Sequence, residues 1–566
     1  MSFNIIVNNS TIEAFQGETI MSALKRNAIR VPTLCYMSGY TPTGACRLCV
    51  VEVKGFKDLV TSCSYPVNED MQIITNSTKV IKARKSIVEL LLSTHPDDCL
   101  YCVRKGKCEL QLLSEEFEIK ERKFFDKKNI VKPDYSSTSI LVDTAKCILC
   151  SRCVRICEET QYVNAIDFIG RGKKTRVNSA FNKGLNTSSC INCGQCITVC
   201  PTGALSDIPH TDFVQSAISS KEYNVTALIS NTVITSLVNM MNLKLQSNVT
   251  GKVITALKKI GFNQVTMLSS ACALNVSLEA QILADNLTKN KPGILFSSCC
   301  PAWVKFVEDF QPGLLQYISP VKSPQQIMGN ILKTKKSKSV NEYNVAIIPC
   351  TAKKFEAARK DMRNKENGEV DSVITVRELI NLFNIYGINL NNIIPENTND
   401  KLQQNSSIAC KMGYSGGKTE EIAKTVFELL NKGQKEYFKF ALPKSYPSKK
   451  ETKVKIAGQE VGFAWVSGIA NATEFINDII KNNRTDIHYA EIMACPGGCV
   501  GGGGHNIDFI TDDTKNRRKI CIEMEKMLSA DSTETTNQPE SVLSYYFNLN
   551  FENIKKHLYV DYNKEK

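Results

Sequence analysis

The chain has 566 residues, 42% apolar and 22% charged, with 70 basic against 57 acidic side chains and a formal charge of +13. This composition fits a globular protein of several domains and excludes collagen, coiled coil and a mostly disordered chain. No run approaches the ~18 consecutive apolar residues of a membrane-spanning helix, and the 23 cysteines, many in Cys-x2-Cys spacing, point to metal rather than to disulfides.

The opening residues MSFNIIVNNSTIEAF show no basic leader, apolar signal core or Arg/Ser-rich presequence, so a cytoplasmic location is expected. Short strands are expected at 3–7 and 11–15, then a helix that Glu18-Thr19 can cap, with Ile20, Ala23 and Leu24 inward. Residues 80–93 read as a second helix with Ile87, Val88, Leu91 and Leu92 inward, and 120–135 as a charged, proline-ended linker. The runs 147–157 and 190–200 form an internal repeat. Fifteen of the 23 cysteines precede residue 201, which sets the main boundary near Pro209-His210. Beyond it, apolar strands at 225–229, 265–268, 294–296, 345–348, 463–466 and 491–493 alternate with helices such as 253–260 and 374–383. That alternation predicts an α/β domain with a parallel sheet. Three of the strands run into Cys299-Cys300, Cys350 and Cys495, at the carboxyl ends where such sheets bind ligands.

Four cysteine groups occupy the amino-terminal part. Cys35-x10-Cys46-x2-Cys49-x13-Cys63 resembles the plant-type 2Fe–2S ferredoxin order with a longer first gap. Its strand–strand–helix lead-in suits a β-grasp domain over 1–80, with a structural zinc site or scattered core thiols as the alternatives. His95-x3-Cys99-x2-Cys102-x5-Cys108, within 81–120, is open between a Cys3His zinc site and a His/Cys3 4Fe–4S module. The latter resembles a module of long hydrogenases and of the large peripheral subunit of respiratory NADH dehydrogenase.

Cys147-x2-Cys150-x2-Cys153-x3-Cys157 and Cys190-x2-Cys193-x2-Cys196-x3-Cys200, within 136–209, resemble the bacterial two-cluster ferredoxin, in which the fourth cysteine of each run ligates the other cluster. The resemblance implies one set of Cys147, Cys150, Cys153 and Cys200, and another of Cys190, Cys193, Cys196 and Cys157. Glu158 stands where a proline is usual. Thiolate-held clusters are anionic, so the basic balance reads as their counter-charge and no nucleic-acid partner is expected. Four clusters in series make a conductor leading to a buried site.

That site is carried by Ser297-Ser-Cys-Cys-Pro-Ala-Trp303, by Ile348-Pro-Cys-Thr-Ala-Lys-Lys-Phe-Glu356, and by Glu491-Ile-Met-Ala-Cys-Pro-Gly-Gly-Cys499 with the four glycines after Val500. These segments resemble the three signature motifs of iron-only (FeFe) hydrogenases. With Lys322-Ser-Pro-Gln-Gln326 and the accessory cysteine order, the resemblance covers about residues 1–510. The implied fold class is α/β and α+β multidomain: a β-grasp 2Fe-2S ferredoxin-like domain, a His/Cys3 4Fe-4S module, a two-cluster bacterial ferredoxin domain, and a large α/β catalytic domain over 210–566.

The implied cofactors are one 2Fe-2S cluster, three accessory 4Fe-4S clusters and an H-cluster, a 4Fe-4S cubane bridged to a diiron CO/CN subsite. Cys300, Cys350 and Cys495 would ligate the cubane, and Cys499 would bridge the two parts. Cys299 would pass protons to the bridging amine, a role for which a thiol titrating near neutral pH is suited. Lys353 would hydrogen-bond a cyanide, Met493 would pack beside the diiron unit, and Ser323 and Gln325 would line its pocket. Glu279 and Ser319 would continue the proton path outward. The bland alternatives are an inert buried Cys299, a Lys353 paired with a carboxylate on a helix, a Met493 that merely packs, and a solvated Glu279. Cys272, Cys410 and Cys521 match no ligand position and read as ordinary thiols. Ile348, Ser230-Asn231-Thr232, Ile282 and His505-Asn506 depart from the family pattern.

The expected activity is the reversible reduction of protons to H2 with electrons from reduced ferredoxin. Maturases would assemble the cofactor, and the location would be the cytoplasm or the lumen of an anaerobic organelle such as a hydrogenosome. The chain has no dinucleotide fingerprint, so direct NADH oxidation would need another subunit. The alternatives are a slow sensory or electron-bifurcating hydrogenase subunit, and a non-catalytic hydrogenase-like assembly protein.

Overall fold

The computed structural model of the chain describes residues 1–121, 123–126, 128, 131–334, 341–364, 367–396, 402, 405–431, 448–506, 513–530, 544 and 557–562. Four residues of the expected 120–135 linker, 122, 127, 129 and 130, lie outside this set. The chain divides into two compact units. The first comprises Met1–Glu159, Val163–Cys190 and Val199–Ser206; the second comprises Thr160–Tyr162, Ile191–Thr198 and Asp207–Lys566. The chain thus enters the second unit for good just before Pro209-His210, while two short pieces of the expected 136–209 segment also belong to it.

The first unit opens on a hairpin, β1 (Ser2–Val7) and β2 (Ser10–Phe15). Asn8 and Asn9 turn it with φ of 48° and 69°, a left-handed pair that asparagine tolerates and that matches strand twist. Helix α1 (Ile20–Arg26) follows, with Thr19 accepting the Ser22 N–H. Glu18 instead takes the Arg26 guanidinium at 2.8 Å. Strands β3 (Val50–Val53), β4 (Val60–Thr61) and β5 (Gln72–Ile74) complete a sheet of order β2-β1-β5-β3-β4. Alternate residues Ile5 and Val7 pack on Ile20, Ala23 and Leu24, as period-2 and period-3.6 patterning require. Helix α2 (Thr78–Thr94) buries Val88, but Ile87, Leu91 and Leu92 are only half-buried. Arg84 shares the buried face and gives its guanidinium to the Val50 carbonyl at 2.8 Å.

Among its described residues the second unit forms two four-stranded sheets where the sequence suggests one. The first sheet is all parallel, β7-β6-β9-β10, from β6 (Tyr223–Ile229), β7 (Gln264–Met267), β9 (Asn341–Ile347) and β10 (Ser372–Ile374). The second is β8-β13-β12-β11, from β8 (Leu295–Phe296), β11 (Lys449–Ile456), β12 (Gln459–Ser467) and β13 (Tyr489–Met493). Its edge pair β11/β12 is antiparallel and the other pairs parallel.

Among the helices, α3 (Asn231–Met241) and α4 (Val249–Ile260) follow β6, α5 (Ser269–Thr288) follows β7, and α6 (Pro301–Phe310) follows β8. Then come α7 (Pro324–Thr334), α8 (Ala352–Ala358), α9 (Val376–Ile385) and α10 (Gly417–Leu430). Parallel strands need such crossovers, and the runs after the carboxyl ends of β6, β7, β8, β9 and β13 are the chain's site-forming loops.

Candidate cluster sites and a thiol-lined cavity

In the first unit Cys35, Cys46, Cys49 and Cys63 are buried together. Cys35 hydrogen-bonds with Cys46 and Cys63, and Cys49 with Cys63; these contacts lower Cys35 and push Cys46 and Cys63 up. The Leu34 N–H donates to Cys46 Sγ at 3.4 Å. In the next group His95 is buried with Nδ1 unpartnered. Burial lowers it to about 4, so at neutral pH the ring keeps the lone pair that a metal ligand needs. Cys102 is an electrostatic neighbour of Cys108, while Cys99 is exposed in the turn Cys99–Tyr101. Among the described residues, no three His, Cys, Asp or Glu side chains converge on the centre of a single ion.

Cys147, Cys150, Cys153 and Cys200 line one cavity of about 410 Å³. Burial, then the charge of Cys200, pushes Cys147 to about 11 and Cys150 to about 12. The pairing of three cysteines of one run with the last of the other, implied by the resemblance, is thus matched by a shared cavity. Cys157 and Cys190 belong to the first unit and Cys193 and Cys196 to the second.

The sequence repeat is also a backbone repeat. Leu149 and Ser151 have φ of 54° and 64°, and the equivalent Asn192 and Gly194 have 58° and 71°. A non-glycine left-handed residue costs about 1–2 kcal/mol and persists only where its surroundings over-determine it. Here the reason is the tight wrap of each Cys-x2-Cys-x2-Cys run.

A larger cavity, about 950 Å³, lies at the carboxyl ends of both sheets of the second unit and is lined by Cys299, Cys300, Cys350, Cys495 and Cys499. Local sequence explains each placement. Pro301 starts α6 at its first position, its missing N–H costing nothing there, which leaves Cys300 as the cap while Trp303 is buried against Phe296. Cys350 follows β9 directly before α8. Gly497 and Gly498, with φ of 78° and 95°, turn the chain between Cys495 and Cys499. A Cβ on Gly498 would lie 2.6 Å from Ser415 N and 2.9 Å from Met493 Sδ, and one on Gly502 would strike the Pro349 carbonyl.

Burial pushes all four thiols up, Cys350 to about 11 with Cys300 next in effect, and Cys495 and Cys499 well above the ordinary range with Cys350 next. Thiols crowded this way ionise only against positive charge. The piece of the fourth run in this unit is tied to the same loops: Thr351 Oγ1 donates to the Asn192 carbonyl at 2.7 Å, and Gln195 Nε2 to the Gly501 carbonyl at 2.9 Å.

Lys353 lines the cavity, and its ammonium also pairs with Glu356 at 2.8 Å and donates to the Cys299 carbonyl at 3.2 Å. The helical ion pair weighed as the alternative is therefore present, and two of the three N–H donors are taken. Gln325 lines the cavity, and its amide donates to Glu356 at 3.1 Å. Ser323 does not line it, because its hydroxyl turns to the same Glu356 oxygen at 2.8 Å. Met493 lines it, as do Ile348 and Ser230-Asn231-Thr232. His505 Nε2 donates to the Cys499 carbonyl at 2.7 Å and Nδ1 meets Ser236 at 2.6 Å, so this departure steadies the Cys499 loop.

On the proton side, Cys272, Asn275, Glu279 and Ile282 share one face of α5. Glu279 is fully buried, not solvated, and accepts from Tyr489 at 2.9 Å and Ser297 at 3.4 Å. Ser319 is not among its partners; that hydroxyl accepts the Val321 N–H at 3.3 Å. Cys299 Sγ donates to Asn275 Oδ1 at 3.1 Å. Burial pushes the Cys299 thiol up, opposed by the Lys418 ammonium. Asn275, Tyr489 and Lys418 escaped the sequence reading. Cys272 lines the cavity, while Cys521 Sγ donates to the Cys410 carbonyl at 3.1 Å, well packed as ordinary thiols are.

Comparison with known proteins matches the family "Iron only hydrogenase large subunit, C-terminal domain" over residues 223–503. A 2Fe-2S iron-sulfur cluster binding domain matches 1–78, an NADH-ubiquinone oxidoreductase-G iron-sulfur binding region 84–123, and a 4Fe-4S dicluster domain 146–204. The chain is 35% identical over 516 residues to the NADP-reducing hydrogenase subunit HndD of Solidesulfovibrio fructosivorans, covering 88% of each. It is 32% identical over 507 residues to iron hydrogenase 1 of Clostridium pasteurianum, again 88% of each. An apo FeFe-hydrogenase structure from Chlamydomonas reinhardtii shares the fold at TM-score 0.53 and 21% identity, covering 62% of this chain and 98% of that one.

Proposed function

Since the chain belongs to the iron-only hydrogenase family, we propose that it reversibly reduces protons to H2 with electrons from reduced ferredoxin. The observation that carries this reading is the single cavity in which Cys300, Cys350, Cys495 and Cys499 meet Cys299 and Lys353. The donor set of four thiols on one cavity fits an H-cluster, which when bound supplies the iron and the amine base where protons and electrons combine. Cys300, Cys350 and Cys495 would hold its cubane, and Cys499 the bridge. Gly498 and Gly502 let the Cys499 loop pass against Ser415 and Pro349, where a Cβ would collide with their backbone. Lys353 keeps one N–H for an anionic ligand. Met493 and Gln325 wall the space, and Ser323 acts one step back, by fixing Glu356.

The Cys299 sulfur holds a proton at the cavity, with Glu279 behind it. A general acid so placed contributes about 10²–10⁴-fold. Electrons would arrive by the accessory thiols: Cys35, Cys46, Cys49 and Cys63 for a 2Fe-2S cluster; His95, Cys99, Cys102 and Cys108; Cys147, Cys150, Cys153 and Cys200; and Cys157, Cys190, Cys193 and Cys196. The hydrogen bonds of Asn192 and Gln195 fix the last stretch against the Cys350 and glycine loops.

Among the described residues no helix is long and apolar enough to cross a membrane; a cytoplasmic or organelle-lumen location remains part of this proposal. A second reading, a subunit of a pyridine-nucleotide-linked assembly, is favoured by the likeness to a subunit named for NADP reduction. Protein co-produced with hydrogenase maturases, then assayed with reduced ferredoxin and with NADPH, separates the two. H2 from ferredoxin alone supports the first reading. H2 from NADPH only when further subunits are added supports the second, and none from either donor in iron-loaded protein overturns both.

A further inference from the structure

Between Cys299 and Glu279 stands Lys418, only 1% exposed. Its position is fixed by the chain on either side. Gly416 (φ 92°) caps α10, and Glu491 accepts from the Gly416 N–H at 3.2 Å, the Thr419 N–H at 3.0 Å and the Thr419 hydroxyl at 2.8 Å. The lysine between these anchors points one way. Its Nζ lies 2.8 Å from Ser297 Oγ, 2.8 Å from Cys299 Sγ and 2.9 Å from Glu279 Oε2.

An ammonium has three N–H donors and no acceptor, and these three atoms take all three. The surrounding bonds leave the direction unambiguous. Ser297 and Tyr489 spend their hydroxyl protons on Glu279, and the Cys299 thiol spends its own on Asn275. The Asn275 amide is committed to the Lys322 carbonyl at 2.9 Å. Burial opposes the charge, yet the Glu279 carboxylate holds the ammonium up.

We propose that Lys418 is a positioning residue that joins Glu279 directly to the Cys299 sulfur, closing the hydrogen-bonded proton path with a side chain. Once Cys299 has given up its proton, the Lys418 ammonium passes one of its own to that sulfur, and the amine left behind is reprotonated by Glu279, which takes its proton from outside; Ser319 makes no link. This inference rests on the reading that protons reach the cavity by Cys299. The pairing of Lys418 with Glu279 can be tested apart from that reading.

The test uses Lys418→Met and the double variant Lys418→Met/Glu279→Gln in the full chain. Without the diiron cofactor, infrared spectra of Lys418→Met should show a protonated-carboxyl band missing from the parent, because a buried carboxylate that loses its cation is neutralised. The band should vanish in the double variant. In loaded protein with parental iron content, Lys418→Met should lower H2 evolution at least tenfold, and Glu279→Gln should add little to that loss. If Lys418→Met yields no folded protein, Lys418→Gln, which keeps two donors and loses the charge, carries the same readouts. Absence of the new band, parental turnover, or losses that multiply in the double variant would overturn the proposal. Should the band appear while Cys299→Ser turns over at the parent rate, the link stands and the Cys299 route falls.

Discussion

Lys353 and Lys418 face one cavity and are held in opposite ways. Lys353 finds its carboxylate three residues on, on its own helix α8, and Ser323 and Gln325 converge on the same Glu356 oxygen. Lys418 reaches from α10 to Glu279 on α5 and to Ser297 and Cys299 beyond β8. The first is a local pair whose third N–H is left for a ligand. The second is a tertiary junction whose donors are all spent within the protein. A cation that holds an anionic ligand keeps a donor free, whereas one that joins two groups of the protein has none to spare.

The largest effect should come from the junction's far end. Cys299→Ser should retain the cofactor and lose H2 evolution by about 10²–10⁴-fold, since a hydroxyl is a far weaker acid than a thiol. Rate and iron content measured together check this. On the other wall, Glu356→Gln strands the buried Lys353 ammonium and should cost about 3 kcal/mol of stability in denaturant unfolding. An unchanged midpoint would mean that the pair contributes nothing.

The junction should also show at high pH. The Lys418 pKa is raised to about 12 from an ordinary 10.5, so the unfolded chain releases its proton first. The contribution is whole below pH 10.5 and is lost as pH climbs through 12, about 2 kcal/mol in all. Lys418→Met should therefore lose less stability than the parent over that window. The smallest effect belongs to Ile282, one turn beyond Glu279 and half-buried. Ile282→Glu should raise H2 evolution about tenfold, or ~1.4 kcal/mol of barrier, if proton supply limits turnover. An equal rate in loaded protein would show that protons already travel by another route or that proton transfer does not limit turnover.

What the sequence made legible follows the same division between local and tertiary. Cys147, Cys150 and Cys153 announce themselves because a cluster's ligands sit on one short run. Cys300, Cys350 and Cys495 do so because each follows an apolar strand into a loop. Lys418 offered only a faint signal, a charge on the stripe that continues through the buried Ile422 and Val426 of α10. Helical spacing places it inward, but nothing local says which carboxylate awaits it. Strand β11, KKETKVKI, reads as a charged surface run, and only its pairing with β12 makes it an edge strand. The two-sheet architecture was hidden for a related reason, since strand periodicity reveals a face but not which strand lies beside it.

The central claim is that the cavity of Cys300, Cys350, Cys495 and Cys499 is built to carry an iron centre with CO and CN ligands. Infrared spectroscopy of the full chain co-produced with hydrogenase maturases tests it most directly. The account predicts CO and CN bands in the parent that disappear in Cys499→Ser. A fully iron-loaded chain with no such bands would contradict it and leave an electron carrier in place of an enzyme.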